Sequence, residues 1–412
     1  MKRLRCRLLV AAPVVAAAAV LAATVPGMAS ASAPASAVAA SAVAPVQAER
    51  QVTVMTQNLY LGADLTPLFT PGVDFATAAA GVLSHVKQVD FPARAAKIAD
   101  EVAAHHPDLI GLQEVALWQL GPDCQHLGTY VDYQQTLLDA LAADGLSYRV
   151  VASDLNFHAT VPLTGVVPGV GCAAFADHDV ILARGDLRVA QLKLSNPQSG
   201  EFGSYPPLVE GVPNELPVTL NVPGLGTQTV TIERGWTSID VQVRGKSFRF
   251  VDTHLEAFGP ADNPALFRNI QATLLVQHVI ASSPLPVIAV GDYNSNAAPI
   301  PDVTGAYGIL TRALLTDAWP LVRHDDDPGY TSGQSDDLTN IPSRIDHRID
   351  LVLFTSGPVH AVPGSGVTVG NAPPTATVEQ AHAVMAYSAA TLQWLWPSDH
   401  AGVVATLHLA KP

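Results

Sequence analysis

Strand-length apolar runs that stop abruptly at a carboxylate, an amide or an imidazole recur along this chain, and that recurrence constrains its fold more than any other feature. Residues 52–58 alternate β-branched and polar side chains and stop at Asn58. Residues 108–115 carry an apolar run into Gln113-Glu114, and residues 247–253 lead through Asp252 into His254. Residues 286–292 end at Asp292 with Asn294 two places on. Asp350 opens an apolar run within residues 348–354, and Asp399-His400 stands before the run 402–409. One such acid at a strand end is ordinarily a turn cap. Six are not explained that way, because a buried carboxylate is costly unless it is paired or holds a cation.

Between these runs lie helical patterns. Ala95, Ile98, Ala99 and Val102 form one face of a predicted helix over 91–104, and a second helix is predicted over 264–281. Residues 236–243 and 247–253 read as a hairpin around Arg244-Gly245-Lys246. Residues 179–183 read as one more strand. The segments 155–178, 195–230, 296–345 and 356–397 read as loop-rich, and no internal repeat is present. Strands alternating with helices, with hairpin signals mixed in, predict an α/β fold: two packed sheets covered by helices.

If the strand ends converge, their carboxylates repel one another, and a divalent cation would relieve that repulsion. The donor set is carboxylate and amide oxygen with imidazole nearby. That hard set suits Mg2+, Mn2+ or Ca2+ rather than zinc. Mg2+ keeps several waters and takes one or two carboxylates, which fits Glu114 as the principal ligand.

The ordered motifs Thr56-Gln57-Asn58, Leu112-Gln113-Glu114, Thr253-His254-Leu255-Glu256, Gly291-Asp292-Tyr293-Asn294, Arg348-Ile349-Asp350 and Ser398-Asp399-His400 resemble the endonuclease/exonuclease/phosphatase family. That family includes pancreatic-type deoxyribonucleases, abasic-site endonucleases, bacterial sphingomyelinases and inositol polyphosphate 5-phosphatases. Each motif alone is weak; six in the family's order across about residues 52–409 are specific. The resemblance implies a four-layer α/β sandwich, with two mixed, largely antiparallel sheets packed face to face and flanked by helices. It implies metal ligation by Glu114, with Asn58 and Asp399 beside it. Asp292 positions or deprotonates the attacking water, and Asn294 donates to the phosphoryl oxygen or the nucleophile. His400 contacts the scissile phosphate, and Asp350 fixes its tautomer. His254 is implied as a general acid for the leaving oxygen and, with Asn294, as a substrate contact. Asp179, in Asp177-His178-Asp179, is placed where the family contacts substrate; a strand-initiating turn is the equal alternative.

The implied reaction is hydrolysis of a phosphate ester by direct attack of water, since no Ser or Cys nucleophile motif is evident. Phosphoryl transfer needs positioning and charge stabilisation more than covalent chemistry. The substrate stays open between nucleic acid, placed first, and a phospholipid head group, with phosphomonoesters third. A noncatalytic binding module would have lost a central residue, and none is missing. Basic residues expected near the site are few: Arg184, Arg234, Arg268, Arg344 and Arg348. No exposed aromatic hairpin of the kind that membrane-acting members use is evident; Trp394 and Trp396 read first as core, with a substrate mouth or a membrane surface as the alternative. Glu256 either orients His254 or caps its strand.

Composition bears on the compartment. Lys2, Arg3, Arg5 and Arg7 precede an Ala/Val/Leu-rich stretch and small residues around Ala29, Ala31 and Ala33, the layout of a secretory signal. Residues 1–33 are expected to be that signal, 34–50 a flexible Ala/Ser/Pro-rich lead-in, and 51–412 a single catalytic domain of an extracellular monomer. No protein partner and no stable membrane span are expected. Losing residues 1–50 removes five basic residues and one acidic one and moves the formal charge from −14 to −18. Such a surface repels polyanions at long range. With Cys6 inside the signal, Cys124 and Cys172 are the remaining pair, and in an export context they are expected to form a disulfide.

Overall fold

Successive side chains of a strand face opposite sides of its sheet, and this alternation sorts the core into layers. A computed structural model describes residues 50–222, 226–323 and 325–410. The strands that carry the site are β1 (Gln51–Asn58), β2 (Leu109–Gln113), β3 (Tyr148–Val167), β4 (Val170–Arg184), β5 (Gly235–Val243), β6 (Lys246–His254), β7 (Val287–Asp292), β8 (Asp350–Thr355) and β9 (Gly402–Leu409). A nine-stranded sheet contains β9, β1, β2 and β4 as neighbours, with β3 paired to β4. A six-stranded sheet contains β8, β7, β6 and β5 as neighbours.

Val52, Val54, Leu109, Ile181, Phe248, Phe250, Ile288, Val290, Val352, Phe354, Val403 and Ala405 meet between the two sheets. The intervening residues face outward. Met55, Ile110, Leu112 and Val404 pack under the helices Phe75–Gln88, Phe91–His105 and Tyr133–Ala143. Val251, Ala289, Leu351 and Leu353 pack under Leu266–Leu275 and Ala306–Ala313. Helices, sheet, sheet and helices make the four-layer α/β sandwich. Truncating an inter-sheet aromatic such as Phe250 would cost about 3–5 kcal/mol.

The inward-facing rows change character at one end of the sandwich. Val52 and Val54 give way to Thr56 and Asn58. Leu109 gives way to Gly111 and Gln113, Phe250 to Asp252 and His254, and Val290 to Asp292; Val352 is preceded by Asp350. Strand direction makes these ends coincide. β1 and β2 run parallel, as do β6 and β7, whereas β8 runs antiparallel to β7 and β9 antiparallel to β1. The first four therefore end where the last two begin. Gly111 lets the sheets close there, since a Cβ at that position would lie 2.6 Å from Oδ1 of Asp252.

The expected strands and helices form close to their anticipated bounds, with the helix Leu266–Leu275 continuing as a π turn over Val276–Ile280. The loop-rich reading is corrected in two places. Residues 155–178 lie in the long hairpin of β3 and β4. Much of 195–230 forms the strands Leu192–Glu201, Leu216–Val222 and Gly226–Ile232. These segments lie at sheet margins, where both faces are partly exposed, so pairing shapes them without an apolar alternation to announce it. The helices Phe75–Gln88 and Tyr133–Ala143 stand outside the expectations. Cys124 and Cys172 are joined in a disulfide, their Cα atoms 5.1 Å apart. Among the described residues no helix is long and apolar enough to cross a membrane. The expected signal lies outside the described residues, as does the lead-in up to residue 49.

Candidate active site

Register aligns the acids and imidazoles. In the smaller sheet His254 pairs with Asp292, and Asp292 with Asp350, in one row across β6, β7 and β8. In the larger sheet Asn58 pairs with Gln113, and Glu114 follows. Asn58 joins the two sheets: its Nδ2 donates to Oε1 of Glu114 at 3.1 Å and to Oδ2 of Asp292 at 3.2 Å. The Leu61 amide donates to the second oxygen of Glu114 at 2.7 Å. Glu114 and Asn294 both hold left-handed backbone conformations, with φ of 56° and 46°. Side chains other than glycine adopt that region at a cost, which the surrounding hydrogen bonds must offset.

Nδ1 of His400 lies 2.8 Å from Oδ2 of Asp350 and 3.8 Å from Oδ2 of Asp292. Donor atoms of Asp292, Asp350 and His400 all lie within 4.8 Å of one another. The 2.8 Å contact is a hydrogen bond that shares the ring proton, so Nδ1 is engaged by Asp350 and not free to bind metal. Nε2 of His400 is left facing Oγ of Ser332 at 3.5 Å. Burial alone pushes the imidazolium down. Asp350, Asp399 and Asp292 together overcome that and hold its pKa well above the usual value. Burial and the charge of Asp350 push the Asp292 carboxyl up to about 7. Burial raises Asp399 to about 6, with Glu114 adding repulsion.

Crowded acids that raise one another are the condition a cation relieves. Glu114, Asn58 and Asp399 offer hard oxygens at this crowding, and buried Oδ1 of Asp350 has no hydrogen-bond partner. The residues therefore fit a divalent ion of the oxygen-preferring kind.

His254 sits among three groups. NH1 of Arg234 lies 3.0 Å from its Nδ1. Nδ2 of Asn294 lies 3.1 Å from its Nε2, and Oδ2 of Asp292 lies 3.5 Å from the same nitrogen. Burial, then the charge of Arg234, holds the His254 pKa well below the usual range. Glu256 reaches Nε of Arg234 at 3.5 Å, so it touches His254 only through that arginine.

Asp179 does not form the strand-initiating turn that was one of its two readings. It stands in mid-strand in β4, on the same inward row as Ile181, and is fully buried. Burial, then the charge of Asp252, pushes its carboxyl well up. Arg184 lies away from the site. It pairs with Asp186 and Asp108 at the other end of β2. Arg348 is taken up by buried Asp317 at 2.8 Å.

Trp396 is buried as expected, but Trp394 is not. The strands Ala386–Ser388 and Gln393–Leu395 form a hairpin. Its exposed side carries Tyr387 and Trp394, ring centroids 5.3 Å apart, with Leu392 at the turn. Leu395 and Trp396 behind it pack with Tyr60, two residues from Asn58. An aromatic hairpin therefore stands beside the site, contrary to the sequence reading. Its strands are three residues long, too short for periodicity to reveal.

Arg94 escaped the sequence reading altogether. Fully buried, it donates to the carbonyls of Leu59, Val89 and Pro397 at 2.7–2.8 Å, and to Tyr60 and Tyr133. It thus ties the turn after Asn58 to the turn before Asp399. A charged residue directly beside the apolar helix positions Ala95 and Ile98 was the available signal.

Residues 55–400 match the Endonuclease/Exonuclease/phosphatase family, and the chain belongs to it. Members are metal-dependent phosphoester hydrolases, and this chain is an enzyme of that class. A family protein from Bacteroides thetaiotaomicron shares the fold with a TM-score of 0.50 at 17% identity, covering 88% of this chain and 98% of its own. A mannosyl-6-phosphatase from the same bacterium aligns with a TM-score of 0.49 at 17% identity, covering 86% of this chain and 99% of its own. A family protein from Beutenbergia cavernae aligns with a TM-score of 0.48 at 22% identity, over 88% and 72% of the two chains. No protein of curated function matches the sequence.

Proposed function

We propose that the mature protein is an exported phosphodiesterase that uses a divalent cation and water to cleave a phospholipid head group. The hydrolase reading is carried by one observation: Asn58 bridges Glu114 of one sheet and Asp292 of the other. That bridge gathers acids, amides and imidazoles at one end of the sandwich.

Glu114, Asn58 and Asp399 would hold the cation, which supplies positive charge to the phosphoryl oxygen when bound. Asp292, with a pKa near neutrality, is suited to accept a proton from the attacking water. His400 is held cationic by its acids and presents Nε2 to charge developing on the phosphate. Asp350 fixes the ring through Nδ1. Asn294 carries its amide beside His254, within reach of a phosphoryl oxygen.

The substrate choice follows from charge and shape. A polynucleotide groove ordinarily presents several free Lys and Arg. Here Arg184 lies at the far end, Arg348 pairs with Asp317, and Arg234 pairs with Asp177 and Glu256. The net charge without residues 1–50 is −18. The exposed Tyr387, Leu392 and Trp394 offer an amphipathic surface suited to a lipid interface. Nucleic acid is the second reading, favoured by Arg268, which donates to the carbonyls of Glu256 and Ala257 just after His254, and by exposed Arg344, which could meet a polyanion.

A panel of sphingomyelin vesicles, phosphatidylcholine vesicles, plasmid DNA, RNA and a sugar phosphate decides the substrate, each with Mg2+, Mn2+, Ca2+ or EDTA. Cation-dependent release of a phosphorylated head group is expected. Cleavage of nucleic acid alone would establish the second reading, and turnover unaffected by EDTA would refute both. Export is checked by finding the processed chain in culture medium, with a new N-terminus between residues 29 and 50.

A further inference from the structure

We infer that Arg234 is a positioning residue that occupies the Nδ1 lone pair of His254, fixing a neutral ring with its hydrogen on Nε2, so that His254 serves as a standing hydrogen-bond donor to a phosphoryl oxygen and not as the acid for the leaving group. The catalytic half of this inference rests on the phosphodiesterase reading; the tautomer does not.

The geometry is specific. Trp236 pairs with Thr253 across β5 and β6, so Arg234, just before β5, comes to the end of β6 at His254. Three groups anchor its guanidinium. NH1 lies 3.5 Å from Asp177, Nε lies 3.5 Å from Glu256, and NH1 lies 3.0 Å from Nδ1 of His254. The arginine side chain is nearly buried, and its acid partners are more so. A guanidinium has only donors and keeps its proton in proteins. Whatever nitrogen it faces at hydrogen-bonding distance must accept. With Nδ1 accepting, the single hydrogen of a neutral imidazole stands on Nε2.

Nε2 is also faced by a donor, the Nδ2 of Asn294, which is simultaneously bonded to the Leu255 carbonyl at 2.9 Å. A neutral ring cannot accept at both nitrogens, so one contact must yield. The arginine bond is charge-assisted and its donor cannot change role. The Asn294 amide can turn about its terminal torsion, keep its bond to Leu255 and aim its second hydrogen past the ring toward a substrate. Asp292, 3.5 Å from Nε2, is an acceptor that suits a hydrogen there. A ring in this state would have to become an imidazolate to protonate a leaving oxygen, so its use is to donate a hydrogen bond while keeping its proton.

The experiment uses the full mature chain labelled with [15N]histidine. Long-range proton–nitrogen correlation spectra distinguish the tautomers, and the His254 signal is assigned by its loss in His254→Gln. The expected spectrum shows His254 protonated at Nε2 and bare at Nδ1. Arg234→Met is expected to abolish that fixed pattern and to lower kcat at least about tenfold with a smaller change in KM, as for an interaction made in the transition state. Arg234→Lys should restore part of both. His254→Gln, whose amide can donate from a similar place, should retain at least about tenfold more turnover than His254→Ala. A wild-type spectrum with the hydrogen on Nδ1 would overturn the inference and assign Nε2 to Asn294. An Arg234→Met variant that loses only thermal stability, with spectrum and kcat unchanged, would overturn it too. The wild-type spectrum needs no variant to fold and no substrate, so a failed substrate assignment would leave it readable.

Discussion

Oδ2 of Asp350, the first residue of a strand in the smaller sheet, lies 2.8 Å from Nδ1 of His400, two residues before a strand of the larger sheet. One hydrogen bond thus crosses the sandwich and sets the direction of an imidazole. Asp350→Asn keeps the shape but can present an amide donor to Nδ1. It is expected to lower kcat by at least about two orders of magnitude while leaving the circular dichroism spectrum unchanged. Near-normal turnover in that variant would remove His400 from the chemistry.

Glu114 is braced by Asn58 and by the Leu61 amide. Glu114→Gln retains these neighbours in size but loses the charge a hard cation requires. The Mg2+ concentration for half-maximal activity should rise at least about tenfold, the scale seen when a metal site loses a supporting group. Cation titration of the two proteins checks this, and an unchanged midpoint would transfer the ion to other ligands.

Arg94 links backbone carbonyls that flank Asn58 and Asp399. Arg94→Met fills part of its volume and leaves those buried carbonyls unpaired. A loss of at least about 1–3 kcal/mol is expected in urea unfolding, the cost of leaving a buried carbonyl without its donor. Weaker Mg2+ binding should accompany it, because both turns would loosen together.

Glu101 lies buried on the helix Phe91–His105, and neither of its carboxylate oxygens has a hydrogen-bond partner. Burial pushes its pKa up to about 8 from an ordinary 4.5. The folded state therefore binds this proton more tightly than the unfolded chain does. The stability that goes with it is complete below about pH 4.5 and is lost as pH climbs toward 8. Glu101→Gln should change little at pH 4.5 and stabilise by up to about 3 kcal/mol at pH 7. Melting temperatures across that range test it; a gain that shrinks with rising pH would contradict the burial argument.

Much of the architecture was legible because periodicity is local. Val52, Val54, Phe248, Phe250, Ile288 and Val290 announce two-faced strands by alternation alone. The polar tips that follow them announce where each strand leaves the apolar layer. The hairpin of Tyr387 and Trp394 was not legible, since three-residue strands carry too little period. The turn alternative for Asp179 failed for a related reason: Asp177-His178-Asp179 has the composition of a turn, yet pairing with β3 draws it into a strand.

By itself the sequence determined which residues can bear the chemistry and that they stand at strand ends, because alternation and the cost of burying charge act within a few residues. Tertiary structure alone decided which of them meet. Asn58 touching both Glu114 and Asp292, Asp350 reaching His400 across two sheets, and Arg234 facing Nδ1 of His254 all depend on strand order, direction and register. Those are set by packing between residues far apart in the chain, and a linear pattern holds no record of the distance that folding closes.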